Sequence, residues 1–189
     1  TGLDTGAMLL KLETPILAND TGGTLHDRLS ELGASAIELY LSEPKQFNDQ
    51  AKVQDNGMAN YAHKLNKQEA EVNWNQSAED ICRMIRAFNP WPVAFIALAE
   101  QRIRIFDADV KENNYGHAPG FIIEKSREGI TIACREQAIT IKTLQLPGGK
   151  LISAEAFFNG GKKLLETGKL STRGKDMKVK APVKQFEFS

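Results

Sequence analysis

The stretch IRAFNPWPVAF, residues 85–95, connects two kinds of apolar pattern. Before it, apolar side chains recur at three- and four-residue steps, which predicts a helix, and after it they alternate, which predicts strands. Pro90 disfavours a helical conformation for Asn89 and therefore ends the helix. Both prolines fix φ, and Trp91 offers a large packing surface. The sequence therefore predicts a rigid elbow between helix and sheet, with a substrate contact as the alternative.

Five short strands are predicted downstream of this elbow, separated by turn signals. Their expected ranges are residues 93–98, 103–110, 120–125, 129–133 and 138–144. This number and spacing favour a small antiparallel barrel. Phe95 and Phe106 could stack on bases, but the alternation favours a place in the core. Ser153 is expected to cap a last helix through Phe158, followed by a loosely ordered basic tail.

Upstream of the elbow, residues 1–50 have the pattern of the end of an α/β unit. Residues 7–12 are predicted to form a strand. Thr24 is expected to cap a helix, with Asp27 at the capping-box position, and this helix should end before Pro44.

Residues 45–68 show no sustained apolar period and are rich in Asn, Gln, Asp and Lys. They are predicted to be a linker with a short helical turn near residues 61–65. Ser77 then caps the helix that leads into the elbow, with Asp80 at its capping-box position.

The composition is that of a globular protein. The chain has 189 residues, of which 41% are hydrophobic and 25% charged, enough for one or two domains with a buried core. No apolar run reaches the roughly 18–20 residues of a membrane span, and no secretory leader is visible. The first residue is Thr1, which suggests a fragment.

Cys82 and Cys134 lie in apolar surroundings and are expected to be reduced core residues. His26, His63 and His117 have no metal-ligand spacing with them. We therefore expect a cytoplasmic protein without a metal.

The formal net charge of zero hides an asymmetry. Residues 1–60 carry four basic and nine acidic residues, a net charge of −5, so the remainder carries +5. From Lys150 onward there are nine basic and four acidic residues. This suggests two units with different partners or, alternatively, a solvated basic tail.

Two stretches resemble known family signatures. Residues 2–6, GLDTG, resemble the end of the catalytic domain of folate-dependent formyltransferases, and residues 85–92 resemble the RAFNPWP stretch of methionyl-tRNA formyltransferases. Shorter matching pieces stand in the right order up to about Leu165. Many members continue the first signature with Asp, where this chain has Ala7.

This resemblance implies an α+β chain. Residues 1–50 would be the C-terminal remnant of a Rossmann-like catalytic domain, 51–68 a linker, and 69–189 an OB-like antiparallel β-barrel with a basic tail. The implied reaction moves a formyl group from 10-formyltetrahydrofolate to methionyl-initiator-tRNA, in a monomeric enzyme without a metal.

The resemblance also implies site residues. Asp4 would be catalytic, and Asp4, Thr5 and Gly6 would lie beside the folate. The family's catalytic Asn and His have no counterpart here, so the fragment alone should be inactive. Basic residues expected to contact tRNA phosphates are Lys64, Lys67, Arg83, Arg86, Lys162 and Lys163.

Two alternatives remain at this point. One is a formyltransferase acting on a UDP-linked amino sugar, which shares the Asp-Thr-Gly signature. The other is a non-catalytic OB module that binds RNA, although residues 1–50 would have no purpose in such a module.

Overall fold

The structure, a computed structural model, describes residues 4–98, 101–160, 165 and 168–170. Its α-helices are α1 (Gly22–Ser42), α2 (Pro44–Asp49), α3 (Ala78–Ala87) and α4 (Ala154–Asn159), with a 3-10 turn at Asn56–Met58. The first two helices and this turn precede the sheet in the sequence, α3 leads into it, and α4 follows a short strand at Leu151–Ser153.

One antiparallel sheet organises the second half of the chain. Its strands are β1 (Phe95–Leu98), β2 (Gln101–Lys111), β3 (Phe121–Lys125), β4 (Ile130–Ala133), β5 (Ala138–Gln145), β6 (Leu151–Ser153) and β7 (Gly168–Lys169). The strand order is β1-β2-β5-β4-β3-β7, and β6 pairs with β5. All five predicted strands are confirmed.

The sheet curls into a half-barrel. The register shifts between Ile105 and Asp107 in β2, and between Ile122 and Glu124 in β3. Such irregularities bend a strand and increase its twist. Among the described pairings β1 and β7 stay at opposite ends of the strand order.

The core lies between the concave sheet, α3 and α4. It consists largely of isoleucines with 0 or 1% exposure, for example Ile103, Ile132 and Ile141 on the sheet and Ile81 on α3. Phe157 of α4 belongs to the same cluster. The alternation thus places one face of β2 in the interior, whereas all four residues of β4 are buried.

Both cysteines belong to this core, as predicted. Cys82 on α3 is 3% exposed and Cys134 is fully buried. Burial raises the pKa of Cys82 to about 11 and that of Cys134 to about 12. Both thiols therefore stay protonated at neutral pH.

Helix α1 starts earlier than predicted. Its N-cap is Thr21, whose hydroxyl accepts from the Thr24 backbone N–H at 3.1 Å while the Thr24 hydroxyl accepts from the Thr21 N–H at 2.9 Å. Thr24 therefore occupies the third helical position, and Asp27 plays no part in the cap. The prediction failed because two glycines fill the first turn and hide its start. The caps of α3 by Ser77 and of α4 by Ser153 are confirmed.

Residues 7–12 do not form the predicted strand. Within them Met8 alone pairs, with Lys52, through N–H···O bonds of 2.8 and 2.9 Å. Without a longer partner segment the other residues of this stretch have no ladder to join.

The linker also differs from the prediction. Pro44 starts α2, since proline suits the first helical turn. The helical turn predicted at residues 61–65 is wrong, because Asn66 accepts from the backbone N–H groups of Gln68 and Glu69 and moves the turn downstream. The predicted loose tail lies outside the described residues.

Candidate functional site

The turn that carries Asp4 is held by the linker. Asp4 is exposed, and its φ of 57° lies in the left-handed region, which aspartate tolerates better than most residues. The side-chain amide of Gln54 donates to the backbone oxygen of Asp4 at 3.0 Å and to that of Gly6 at 2.7 Å. Thr5 lies between these two contacts and is exposed as well. One linker residue thus fixes the Asp-Thr-Gly turn.

Asp20 organises the residues just before α1. One of its carboxylate oxygens accepts from the Leu17 N–H at 2.7 Å, and the other accepts from the Thr24 hydroxyl at 3.0 Å and from Arg28. Arg28 also donates to the Pro15 oxygen at 2.7 Å. The bond from Arg28, followed by that from Leu17, lowers the pKa of Asp20 to about 2. This network therefore remains charged at neutral pH.

The first turn of α1 contacts the elbow. The backbone N–H of Gly23 donates to the Asn89 oxygen at 2.9 Å. A Cβ atom on Gly22 would lie 2.4 Å from the Ala87 oxygen, so this approach requires glycine. The first turn of α1 and the elbow, which are distant in the sequence, are thereby brought together.

Hydrogen bonds on both sides also fix the elbow. The Asn89 side chain donates to the Phe106 oxygen at 3.1 Å, which ties the elbow to β2. The Val93 N–H donates to the Phe88 oxygen at 2.9 Å, which ties it to the end of α3. Val93 is buried and has a φ of 68°, a strained conformation for a β-branched residue that surrounding contacts must hold.

Trp91 projects from this elbow. The peptide bonds before Pro90 and Pro92 are cis, and Trp91 is 52% exposed. The prediction that its ring packs between helix and sheet is therefore wrong. The rigid elbow itself is confirmed, since Asn89 and Val93 provide the contacts to both elements.

The exposed indole forms part of a cleft of about 650 Å³. The elbow, the β1–β2 hairpin and the turn at residues 146–149 line this cleft, which we call the Trp91 cleft. Its described lining contains three cationic residues, Lys67, Arg102 and Arg104, and no acidic residue. The cleft therefore combines an aromatic face with positive charge.

The two arginines belong to strand β2. They share one face of the strand because alternate side chains point to the same side. The Arg102 guanidinium lies 4.5 Å from the centre of the Phe95 ring, and the Arg104 Nη1 donates to the Gln145 side-chain oxygen at 3.2 Å. Phe95 is only 4% exposed, so its predicted place in the core is confirmed, whereas Phe106 is half-buried.

No group of three or more His, Cys, Asp or Glu side chains among the described residues could hold a metal ion. Within the described residues, no helix combines the length and the apolar character needed to cross a bilayer.

A sequence model of the formyl transferase C-terminal domain matches residues 64–162, slightly more than half of the chain. This chain belongs to the formyl transferase C-terminal domain family. The match contains α3, the elbow and the whole Trp91 cleft. Asp4, Thr5 and Gly6 lie outside it, so their role stays a prediction.

Curated relatives of this chain share one description. Proteins described as methionyl-tRNA formyltransferase are 48% identical in Marinobacter nauticus over 167 residues and 48% identical in Hahella chejuensis over 169 residues. A third, from Pseudomonas putida, is 45% identical. The matches cover 88–89% of this chain but 53–54% of the relatives. The chain thus spans about half the length of these relatives.

Solved structures similar to this formyl transferase domain show the fold alone. A HypX variant from Aquifex aeolicus has a TM-score of 0.61 at 16% identity, covering 84% of this chain and 30% of HypX. HypX in complex with tetrahydrofolic acid has a TM-score of 0.50 at 17% identity, covering 70% and 23%.

The predicted basic residues do not all lie in one place. Lys64 and Lys67 are exposed, and Lys67 lines the Trp91 cleft. Arg83 pairs with Asp80 at 2.5 Å, and Arg86 is half-buried in the last turn of α3. Lys162 and Lys163 lie outside the described residues.

Sequence reasoning missed Arg102 and Arg104 as candidates. The signal was present, because residues 102–105 alternate polar and apolar and so place both arginines on one outward face. Their proximity to Trp91 depends on how the elbow turns, which the sequence does not reveal.

Proposed function

We propose that this chain is the C-terminal part of a methionyl-tRNA formyltransferase. Such an enzyme transfers the formyl group of 10-formyltetrahydrofolate to the amino group of methionine esterified to initiator tRNA. The observation that carries the proposal is the 44–48% identity to proteins of that description over 88–89% of this chain. A folate donor also agrees with the HypX structure that contains tetrahydrofolic acid and shares this fold.

The domain boundaries proposed from the sequence fit the distribution of buried residues. Residues 1–50 would end a Rossmann-like catalytic domain, 51–68 would be the linker, and 69–189 would form an OB-like domain. Supporting this, the buried residues of the described chain begin at Ala70, directly after the proposed linker.

The chemistry defines what each part must supply. The amine nitrogen attacks the formyl carbon, a C–N bond to methionine forms, the bond to N10 of the folate breaks, and the amine's proton ends on N10. The tetrahedral intermediate needs a donor for its oxyanion and an acceptor for the proton. The upstream Asn and His are the proposed suppliers. Asp4 would orient the His and stabilise its charged form, as a carboxylate does for an imidazole in other acyl transfers.

The linker and the C-terminal domain would hold the tRNA together. Lys64, Lys67, Arg83 and Arg86, with Lys162 and Lys163, are the proposed phosphate contacts, which position the substrate without reading its sequence. We further propose a monomer that works in the cytoplasm, where initiator tRNA is used.

The full-length protein provides the test. We expect it to formylate methionyl-initiator-tRNA, and we expect Asp4→Asn to lower kcat by about 10²–10⁴-fold, the usual contribution of acid–base groups. Asp27→Asn, an exposed change of the same type on α1, is the matched control and should leave kcat unaltered.

A UDP-linked amino sugar serves as the competing acceptor in the same assay. Formylation of the sugar but not of the charged tRNA would replace the proposal by the sugar-nucleotide reading. Tight RNA binding without transfer to either acceptor would instead indicate a binding module.

A further inference from the structure

The Trp91 cleft is a built feature of the fold rather than a chance surface. Trp91 stands on a backbone that is anchored at Asn89 to β2 and at Val93 to α3. These anchors hold the Trp91 backbone at the rim of the cleft, where its indole is half exposed. A large, rigid aromatic surface open to solvent is typical of a stacking platform for a planar ligand.

The charges around the indole specify the second property of the ligand. Arg102 and Arg104 come from adjacent positions on one face of β2, and Lys67 adds a third positive charge. None of the described residues lining the cleft is acidic. Arginine forks match the oxygens of phosphate groups. The ligand should therefore carry an anionic group next to a flat apolar one.

The turn at residues 146–149 leaves room for such a ligand. A Cβ atom at Gly148 would meet nothing within 4 Å, and Gly148 has a φ of 67°. The Gln145 amide donates to the Gly149 oxygen at 2.8 Å and so holds this turn beside Arg104. The cleft thus stays open on the side of Gly148.

We propose that the Trp91 cleft binds an unpaired nucleotide of the RNA substrate, with its base on Trp91 and its phosphate between Arg102 and Arg104. This deepens the proposed function and rests on it. A nucleotide in a duplex is excluded, because its base faces are covered by neighbouring bases. An acidic peptide would satisfy the arginines but would leave the indole uncovered.

Intrinsic fluorescence tests the proposal directly. The chain has two tryptophans, and Trp74 is only 6% exposed, so a ligand quenches chiefly Trp91. We expect a single-stranded hexaribonucleotide to quench the 189-residue chain. Trp91→Ala should abolish this quenching and weaken binding about tenfold, within the range known for base stacking. Trp91→Phe should retain most of the affinity.

Charge is tested with a matched pair of variants. Arg104→Gln should reduce the slope of log affinity against log salt by about 0.7, the value for one phosphate of a single strand. Arg127→Gln removes the same charge from the exposed turn between β3 and β4 and should leave the slope unchanged. Circular dichroism of each variant verifies that the fold is intact.

Three outcomes would overturn the proposal. The first is that Trp91→Ala binds the oligonucleotide as tightly as the original chain. The second is that a duplex RNA of the same length competes equally well for the cleft. The third is that inorganic phosphate at equal charge displaces the oligonucleotide completely.

Kinetics of the full-length enzyme separate this proposal from the function. Trp91→Ala should raise the KM for methionyl-tRNA while kcat stays constant. Normal formylation with an unchanged KM would contradict the proposed role of the Trp91 cleft but would support the proposed function. Quenching by the oligonucleotide without formylation would reject the function instead.

Discussion

Helix α1 is 21 residues long and buries none of them, whereas α3 has only 10 residues and buries four. The same contrast extends to whole regions of the described chain. Residues 4–69 contain no buried residue, while the region from Ala70 onward encloses a contiguous core. The two regions therefore owe their order to different forces.

Hydrogen bonds hold the first region, which contains no buried core among the described residues. The threonine capping box, the Asp20 network and the contact from Gly23 to Asn89 fix the start of α1. Its apolar side chains Ile37 and Leu41 remain 60% and 64% exposed. Because helices gain most of their stability from packing, α1 should open at a lower free energy than the core. The contrast also agrees with the proposal that residues 1–50 belong to another domain.

Truncation of isoleucines should give the largest difference between the regions. Ile132→Ala removes a fully buried side chain and should lower the free energy of unfolding by about 2–5 kcal/mol. Ile37→Ala removes an exposed one and should change it by less than about 0.5 kcal/mol. Urea unfolding followed by circular dichroism measures both. Equal losses would show that the α1 face is buried in solution.

The contact between the regions is tested by two glycines of α1. Gly22→Ala places a Cβ atom 2.4 Å from the Ala87 oxygen and should detach the helix start, whereas Gly33→Ala meets nothing within 4 Å. The second change should stabilise α1 by about 1 kcal/mol through helix propensity. Hydrogen exchange of the Gly23 N–H is the measurement. Equal protection of the Gly23 N–H in both variants would show that its contact with Asn89 does not hold the start of α1.

The smallest expected effect concerns pH. The pKa of Asp20 is lowered to about 2, so its contribution is complete above the ordinary value of about 3.9 and is lost as pH falls through 2. Arg28→Gln removes the largest cause of the shift and should return the pKa towards its ordinary range. The carboxyl carbon signal of Asp20 in NMR titrations reports the change. An Asp20 pKa that stays near 2 without Arg28 would assign the shift to the Leu17 N–H instead.

Prediction of secondary structure from the sequence worked best where burial gives the apolar residues a regular spacing. Each of the five predicted strands buries apolar residues. In β2 these residues alternate with exposed ones, whereas all four residues of β4 are buried. Strands β6 and β7 have three and two residues, too few to show a period. The start of α1 was misplaced because Thr21 and Thr24 are equally good caps in sequence, and only the reciprocal hydrogen bonds distinguish them.

The candidate site was harder to predict. The resemblance directed attention to Asp4 and to single lysines, whereas the cleft depends on the direction in which Trp91 leaves the elbow. A sequence shows that a tryptophan stands between two prolines, but not whether it points inward. The alternation in β2 indicated that its two arginines share an outward face. Their partner across the cleft, Trp91, comes from a different part of the chain.

The two thiols have a practical consequence. A maleimide or iodoacetamide label requires a thiolate, and both native cysteines are buried with pKa values of about 11 and 12. A new cysteine at exposed Ser42 would therefore react at neutral pH while the native pair stays silent. Energy transfer from the two tryptophans, Trp74 in the core and Trp91 in the cleft, to a dye at this position would report the motion of α1 relative to the cleft, with neither natural cysteine replaced.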